Sequence, residues 1–239
     1  DKVIDEINYR GYGLTFGLHT RIDDRVEQIV ERIHAGNIYV NRNQIGAIVG
    51  SQPFGGEGLS GTGPKAGGQH YLRRFRRVGK IDVATEPRGE NIERLDVETA
   101  LEKIDARNWH ARPDRVSILR AALRGRTGIV RKALSKTAAF DMTPQTLPGP
   151  TGERNLLRMF PRGTVLCLGP TPAIADAQAL QALGAGCGAL IVVPGTPTSL
   201  AGDLAAAGAP VACLDGTIDP AILINLEGFA VVAAAGASD

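Results

Sequence analysis

Four short apolar runs in the last third of the chain constrain its fold more than any other feature. Thr164–Leu168, Ala189–Val193, Pro210–Leu214 and Phe229–Ala233 recur roughly every 20 residues. Each is continuous rather than alternating, as suits a strand buried on both faces. Between the first three lie the Ala-rich stretches Ala173–Leu183 and Leu200–Ala206, which favour helix. Short buried strands alternating with helices build a parallel sheet with crossovers. The expected fold class is therefore α/β, and residues 161–239 are expected to form a small, incomplete Rossmann-like unit.

The rest of the chain divides by composition. Val26, Ile29, Val30 and Ile33 recur at helical spacing, with Asp23 as the expected N-cap and Gly36 as the closing left-handed residue. A short strand, Asn37–Asn41, follows. From Ile45 to Gly68, nine of 24 residues are glycine, a density that opposes helix and strand on entropic grounds. Regular structure is expected to return over Tyr71–Val83. Residues 92–136 read as mostly helical, with one apolar stripe at Leu95, Ala100, Leu101 and Ile104. A second runs through Ile118, Leu119, Ala122 and Leu123, and Pro113 separates the two. Thr143–Pro150 reads as a Pro- and Gly-rich strap. The expected segments are 1–84, a largely helical linker with its strap over 85–160, and 161–239.

Composition excludes several classes of function. The formal net charge of +2 gives no bulk signal for nucleic acid or membrane. The basic run Arg73-Arg74-Phe75-Arg76-Arg77 reads as a solvated rim or intersubunit contact, because a nucleic-acid stripe needs a longer basic face with stacking aromatics. Cys167, Cys187 and Cys213 lie far apart in apolar stretches, without the spacing of a metal site or a disulfide framework. No apolar run approaches the roughly 18 residues of a spanning helix, and no signal peptide is recognisable, so a cytoplasmic location is expected. His19, His34, His70 and His110 show no metal-ligand spacing, and no metal site is expected. The chain opens without Met and closes just after a strand-like run, and we expect it to be a piece of a longer polypeptide.

One motif invites a cofactor. Gly56-Glu57-Gly58-Leu59-Ser60-Gly61 is a literal G-x-G-x-x-G, and Asp82 follows ~20 residues later, the spacing of a ribose-binding acid. A dinucleotide site also needs a buried strand running into the first glycine and a helix opening at the last. Gly50 and Pro53 interrupt any strand before Gly56, and Thr62-Gly63-Pro64 is poor helix material. The motif is therefore rejected. Gly61-Thr62-Gly63-Pro64-Lys65-Ala66 lacks the Ser or Thr that a P-loop places after its lysine. Gly169-Pro170-Thr171-Pro172 lacks the amide protons a phosphate requires.

Three motifs together carry a resemblance. Tyr12–Thr20, Gly36–Asn41 and Pro53–Gly61, in this order and spacing, resemble the C-terminal end of the aldehyde dehydrogenase superfamily over about residues 1–80. Asn41–Gly50 and Thr62–Gly68 narrow it to the glutamate-semialdehyde dehydrogenase module of bifunctional proline-utilisation flavoenzymes. The nonamer Leu147–Asn155 resembles a segment of their C-terminal extension. The resemblance implies that Gly46 and Ala47 offer backbone amides to the substrate α-carboxylate, and that Phe54 packs against its aliphatic stem. It implies FAD and NAD for the intact enzyme, and neither for this chain alone. The catalytic Cys, the Glu base and the nucleotide-binding domain would lie outside this chain, so the chain contains no catalytic residue and is expected to be inactive alone. Implied partners are glutamate semialdehyde or pyrroline-5-carboxylate, the remainder of the polypeptide and a homo-oligomer. DNA is implied only if a missing N-terminal segment provides for it, and peripheral contact with the inner membrane only through the missing flavin domain. Two other readings stand beside this one: a non-enzymatic assembly or interaction module, and an aldehyde dehydrogenase of different substrate.

Overall fold

The structure is a computed structural model that describes residues 2–75, 89–126, 128–139, 142–195, 199–224, 226–229 and 231–233. It divides into two compact units, Asp1–Arg77 with Pro144–Arg158, and Val78–Thr143 with Met159–Asp239.

The first unit begins with α1 (Lys2–Tyr9), β1 (Tyr12–Gly13), β2 (Thr15–Leu18), α2 (Asp23–Arg32), β3 (Asn37–Val40) and β4 (Glu57–Gly58). It is completed by the antiparallel pair β5 (Gln145–Leu147) and β6 (Asn155–Leu157). β2 and β3 pair in parallel from Thr15↔Asn37 to Leu18↔Val40, so α2 is their crossover. This brings the first two resemblance motifs side by side. The cap of α2 differs from expectation. Ile22 is the N-cap and gives no side-chain bond, while Asp23 and Asp24 sit in the first turn, where their charge favours the helix dipole. The helix closes at Ile33 in an extended conformation rather than at Gly36. Gly36 instead marks a backbone crossing, because a Cβ there would lie 1.8 Å from the Gly55 carbonyl oxygen.

As its composition dictates, the glycine-dense loop stays irregular. Its regular pairing amounts to β4, which meets β1, and the isolated bridges Ile48↔Gln52 and Phe54↔Ala66. A 3-10 turn follows at Tyr71–Phe75. The regular structure expected onward to Val83, Arg76, Arg77 and Asp82 lie outside the described residues.

The second unit contains α3 (Arg94–Glu102), α4 (Arg115–Ala122), α5 (Ile129–Ala138), β7 (Thr164–Cys167), α6 (Pro172–Gly184) and β8 (Gly188–Val193). After these come α7 (Ser199–Ala206), β9 (Val211–Asp215), α8 (Pro220–Leu223) and β10 (Val231–Ala233). The four apolar runs form one parallel sheet in the order β10-β7-β8-β9. Every residue of the central strand β8 is buried. Its side chains alternate between two cores, Ala189, Ile191 and Val193 on one face, Leu190 and Val192 on the other. The first core takes in α4 to α7 and Trp109, whose Nε1 donates to the Leu183 carbonyl at 2.8 Å. The second takes in α3 and Leu226. On α3, Leu95 departs from the expected stripe and is exposed, while Val97 is fully buried. The helix starts at Arg94, so the inward face runs Val97, Ala100, Leu101, Ile104 at i, i+3, i+4, i+7. The second expected stripe packs inward as read, with Leu119 and Leu123 buried and Ile118 and Ala122 against them. Among the described residues no helix is long and apolar enough to cross a membrane.

Candidate functional site

The expected site residues sit on the loop that leaves β3. Asn41 turns the chain with φ of 55°, and Gly46 adopts φ of 128°, a conformation that side-chain-bearing residues rarely take. Two bonds between Ile48 and Gln52, at 3.2 and 2.8 Å, close the loop, and the Gly50 amide donates to Gly67 at 2.9 Å. Tyr39, buried on β3, donates its hydroxyl to the Gly46 carbonyl at 2.8 Å. Gly46 and Ala47 are exposed. Their amide protons have no protein acceptor among the described residues.

Phe54 is half-buried, and its backbone is fixed from both sides. It exchanges two bonds with Ala66, at 2.9 and 2.8 Å. Asn37, the first residue of β3, donates from Nδ2 to the Pro53 carbonyl at 2.9 Å and accepts at Oδ1 from the Gly55 amide at 3.1 Å. One side-chain amide thus clamps the peptides flanking Phe54. Lys65 Nζ reaches the carbonyls of Gly36 and Gly55 and Asn37 Oδ1. Burial pushes the Lys65 ammonium below its ordinary pKa, and the charge of Glu57 acts in the opposite sense. Bonding to backbone carbonyls satisfies the half-buried cation.

The nonamer Leu147–Asn155 bears on the same loop. It spans the turn between β5 and β6, and Glu153 projects from it. Glu153 Oε2 accepts from Arg42 Nη1 at 2.8 Å, and Oε1 accepts from Gln52 Nε2 at 2.6 Å and Asn155 Nδ2 at 3.0 Å. The Arg42 guanidinium lies 5.5 Å from the centroid of the Tyr39 ring. A Cβ at Gly46 would stand 3.7 Å from Arg42 Nη2 and 3.9 Å from Gln52 Oε1. Gly46 is therefore set against Gln52, two residues before Phe54. Asn37, Arg42, Gln52, Lys65 and Glu153 were not singled out as functional by sequence reasoning. For Glu153 a signal existed in the nonamer, but nothing in the sequence joined it to residues about a hundred positions earlier.

The glycine motif is not a nucleotide turn. β4 lies inside it rather than before it, and no helix opens at Gly61. The turn after β7 does not fit a pyrophosphate either. Pro172 has no amide proton, and Thr171 Oγ1 already accepts from the Ile174 amide at 3.3 Å. Desolvation pushes the Cys167 thiol up to about 12, with the charge of Asp176 adding to it, which leaves it a poor nucleophile. Cys187 is also buried and raised, mainly by desolvation, whereas Cys213 is only half-buried. Among the described residues no group of three His, Cys, Asp or Glu side chains could hold a metal ion.

Comparison with known proteins bears on both units. Residues 1–81 match the aldehyde dehydrogenase family. The chain is 43% identical over 187 residues to the bifunctional protein PutA of Klebsiella aerogenes, across 78% of this chain and 14% of that protein. For the bifunctional protein PutA of Escherichia coli K12 the identity is 42% over 187 residues, 77% of this chain and 14% of the relative. A 1-pyrroline-5-carboxylate dehydrogenase of Bacillus subtilis is 49% identical over 72 residues, 30% of this chain and 14% of that enzyme. A crystal structure of a Bradyrhizobium japonicum proline utilization A variant shares 68% identity over 31% of this chain and 8% of its own, with a TM-score of 0.31. The chain thus spans 14% of the length of the curated relatives it matches.

Proposed function

Because the chain corresponds to the C-terminal region of bifunctional PutA proteins, with aldehyde dehydrogenase sequence at its N-terminus, we propose that it anchors the substrate of an L-glutamate γ-semialdehyde dehydrogenase. The intact protein would oxidise proline to pyrroline-5-carboxylate with FAD, and the hydrolysed semialdehyde to glutamate with NAD. When bound, NAD supplies the hydride acceptor. Both cofactors, the thiolate nucleophile and the general base belong to parts of the protein outside this chain. Here the work is recognition. Gly46 and Ala47 donate their backbone amides to the α-carboxylate, a charge-assisted pair of bonds. Phe54 borders the aliphatic stem and sets the distance from carboxylate to aldehyde. Such binding orients a substrate for attack without taking part in bond making.

The observation that carries this reading is the exposed amide pair without a protein acceptor, on a loop whose Gly46 carbonyl is held by a buried tyrosine. Phe54→Ala in the intact enzyme tests it. Removing the ring is expected to raise KM for the semialdehyde about tenfold with kcat nearly unchanged, the pattern of lost uniform binding. Unchanged KM would remove Phe54 from the site. We read the second unit as a Rossmann-like, non-catalytic extension; its parallel sheet and the Thr171-capped, proline-bearing turn after β7 support that assignment.

A further inference from the structure

We infer that Glu153 is a positioning residue for the Gly46–Ala47 loop, acting through Arg42 and Gln52. The inference rests on the reading of that loop as the carboxylate anchor.

Three side chains hold or border the loop at Gly46: the Tyr39 hydroxyl on its carbonyl, the Arg42 guanidinium and the Gln52 amide. Two of the three are themselves held by the Glu153 carboxylate, across 111 and 101 residues of sequence. Arg42 and Glu153 keep only 33% and 24% of their side-chain surface exposed, which separates this ion pair from the solvated ones on the helices. Gln52 is 8% exposed. Its orientation follows from charge. A carboxylate at 2.6 Å must face the Nε2 donor, so the carbonyl Oε1 is turned away from Glu153, and a Cβ at Gly46 would stand 3.9 Å from it. That oxygen is buried with no protein donor, so the Gln52 side chain is held by its Nε2 end alone.

Removing the carboxylate leaves a buried amide donor and a partly buried guanidinium without their acceptor. The Gln52 amide is then at liberty to rotate, and Arg42 to leave the Tyr39 face. Both movements occur beside Gly46, so the two anchor amides lose their placement. The defect falls on recognition of a carboxylate and leaves the chemistry at the aldehyde untouched.

The test is steady-state kinetics of the intact enzyme with two aldehydes, glutamate semialdehyde and a straight-chain aldehyde without a carboxylate. The parent enzyme is expected to show a KM at least about tenfold lower for the semialdehyde. Glu153→Ala is expected to raise the semialdehyde KM about tenfold, with kcat held within about twofold and the plain aldehyde's KM unmoved. Glu153→Gln, which preserves size and an acceptor for Gln52 but loses the charge facing Arg42, is expected to show a smaller shift in the same direction. It also serves as the readout if the alanine variant fails to fold. A parent enzyme that discriminates while both variants keep its KM for both substrates overturns the role of Glu153 and leaves the anchor loop standing. A kcat loss shared equally by the two aldehydes also overturns it, since that marks a general structural defect. A parent enzyme that does not discriminate overturns the anchor reading and the role of Glu153 with it.

Discussion

At the scale of single residues, the first unit is organised by close approach. Gly36 is the sharpest case, because any Cβ would sit 1.8 Å from the Gly55 oxygen and 2.8 Å from the Gly56 Cα, both backbone atoms that cannot swing aside. The crossing allows Lys65 to bridge the Gly36 and Gly55 carbonyls and Asn37 to clamp the peptides around Phe54. Gly36→Ala is therefore expected to cost about 3 kcal/mol, at the upper end of overpacking penalties. The cost is read by denaturant unfolding of the intact protein. A loss below about 0.5 kcal/mol, the range of an indifferent surface change, would show that the crossing relaxes freely. The sequence displays Gly36 as one glycine among 30. What separates it from the others is the chain that passes over it, about twenty residues later.

At the scale of elements, the parallel sheet follows from local pattern. Each apolar run contributes a strand and the intervening Ala-rich segments supply crossovers, but burial on both faces holds for the interior strand β8, whereas β9 is half-buried and β10 mostly exposed at the two edges. α6 shows local chemistry at its clearest. Thr171 caps the Ile174 amide and Pro172 occupies the first turn, the arrangement that starts a helix with least unsatisfied backbone. Thr171→Val is expected to destabilise the intact protein by about 1 kcal/mol and to leave KM for NAD unchanged. A raised KM for NAD would return a nucleotide role to this turn. Where expectation and structure parted, the cause lay at element ends. Asp23 stands one residue inside its helix and Leu95 on the outer face of its own, since apolar periodicity fixes the face of a helix only once its first residue is known.

At the scale of the whole molecule, the two units differ in kind, and among the described residues both hydrophobic clusters belong to the second. The second is built on the buried sheet, and Leu190 in its central strand is fully buried. Leu190→Ala is expected to lower stability by 2–5 kcal/mol, roughly the range for such truncations, through lost transfer energy plus a cavity. The semialdehyde KM of the folded fraction should stay constant, because the anchor loop belongs to the other unit. A parallel rise in that KM would show that the loop depends on the sheet. The first unit is held instead by polar links between distant segments. Arg158 pairs in two bonds with Glu27, at 2.9 and 3.2 Å, and Glu153 joins Arg42 to Gln52. By itself the sequence determined the α/β class, the strands and crossovers of the sheet, and the failure of G-x-G-x-x-G as a nucleotide turn. Each of these depends on periodicity, propensity and neighbours within a few residues. Only the tertiary structure decided that Leu147–Asn155 folds onto the unit holding the Gly46–Ala47 loop, that Asn37 holds the peptides flanking Phe54 while Lys65 reaches the Gly55 carbonyl, and that Glu153 joins Arg42 to Gln52. Those contacts join residues from ten to more than a hundred positions apart, and sequence spacing carries no information about which distant polar groups will meet once the chain is folded.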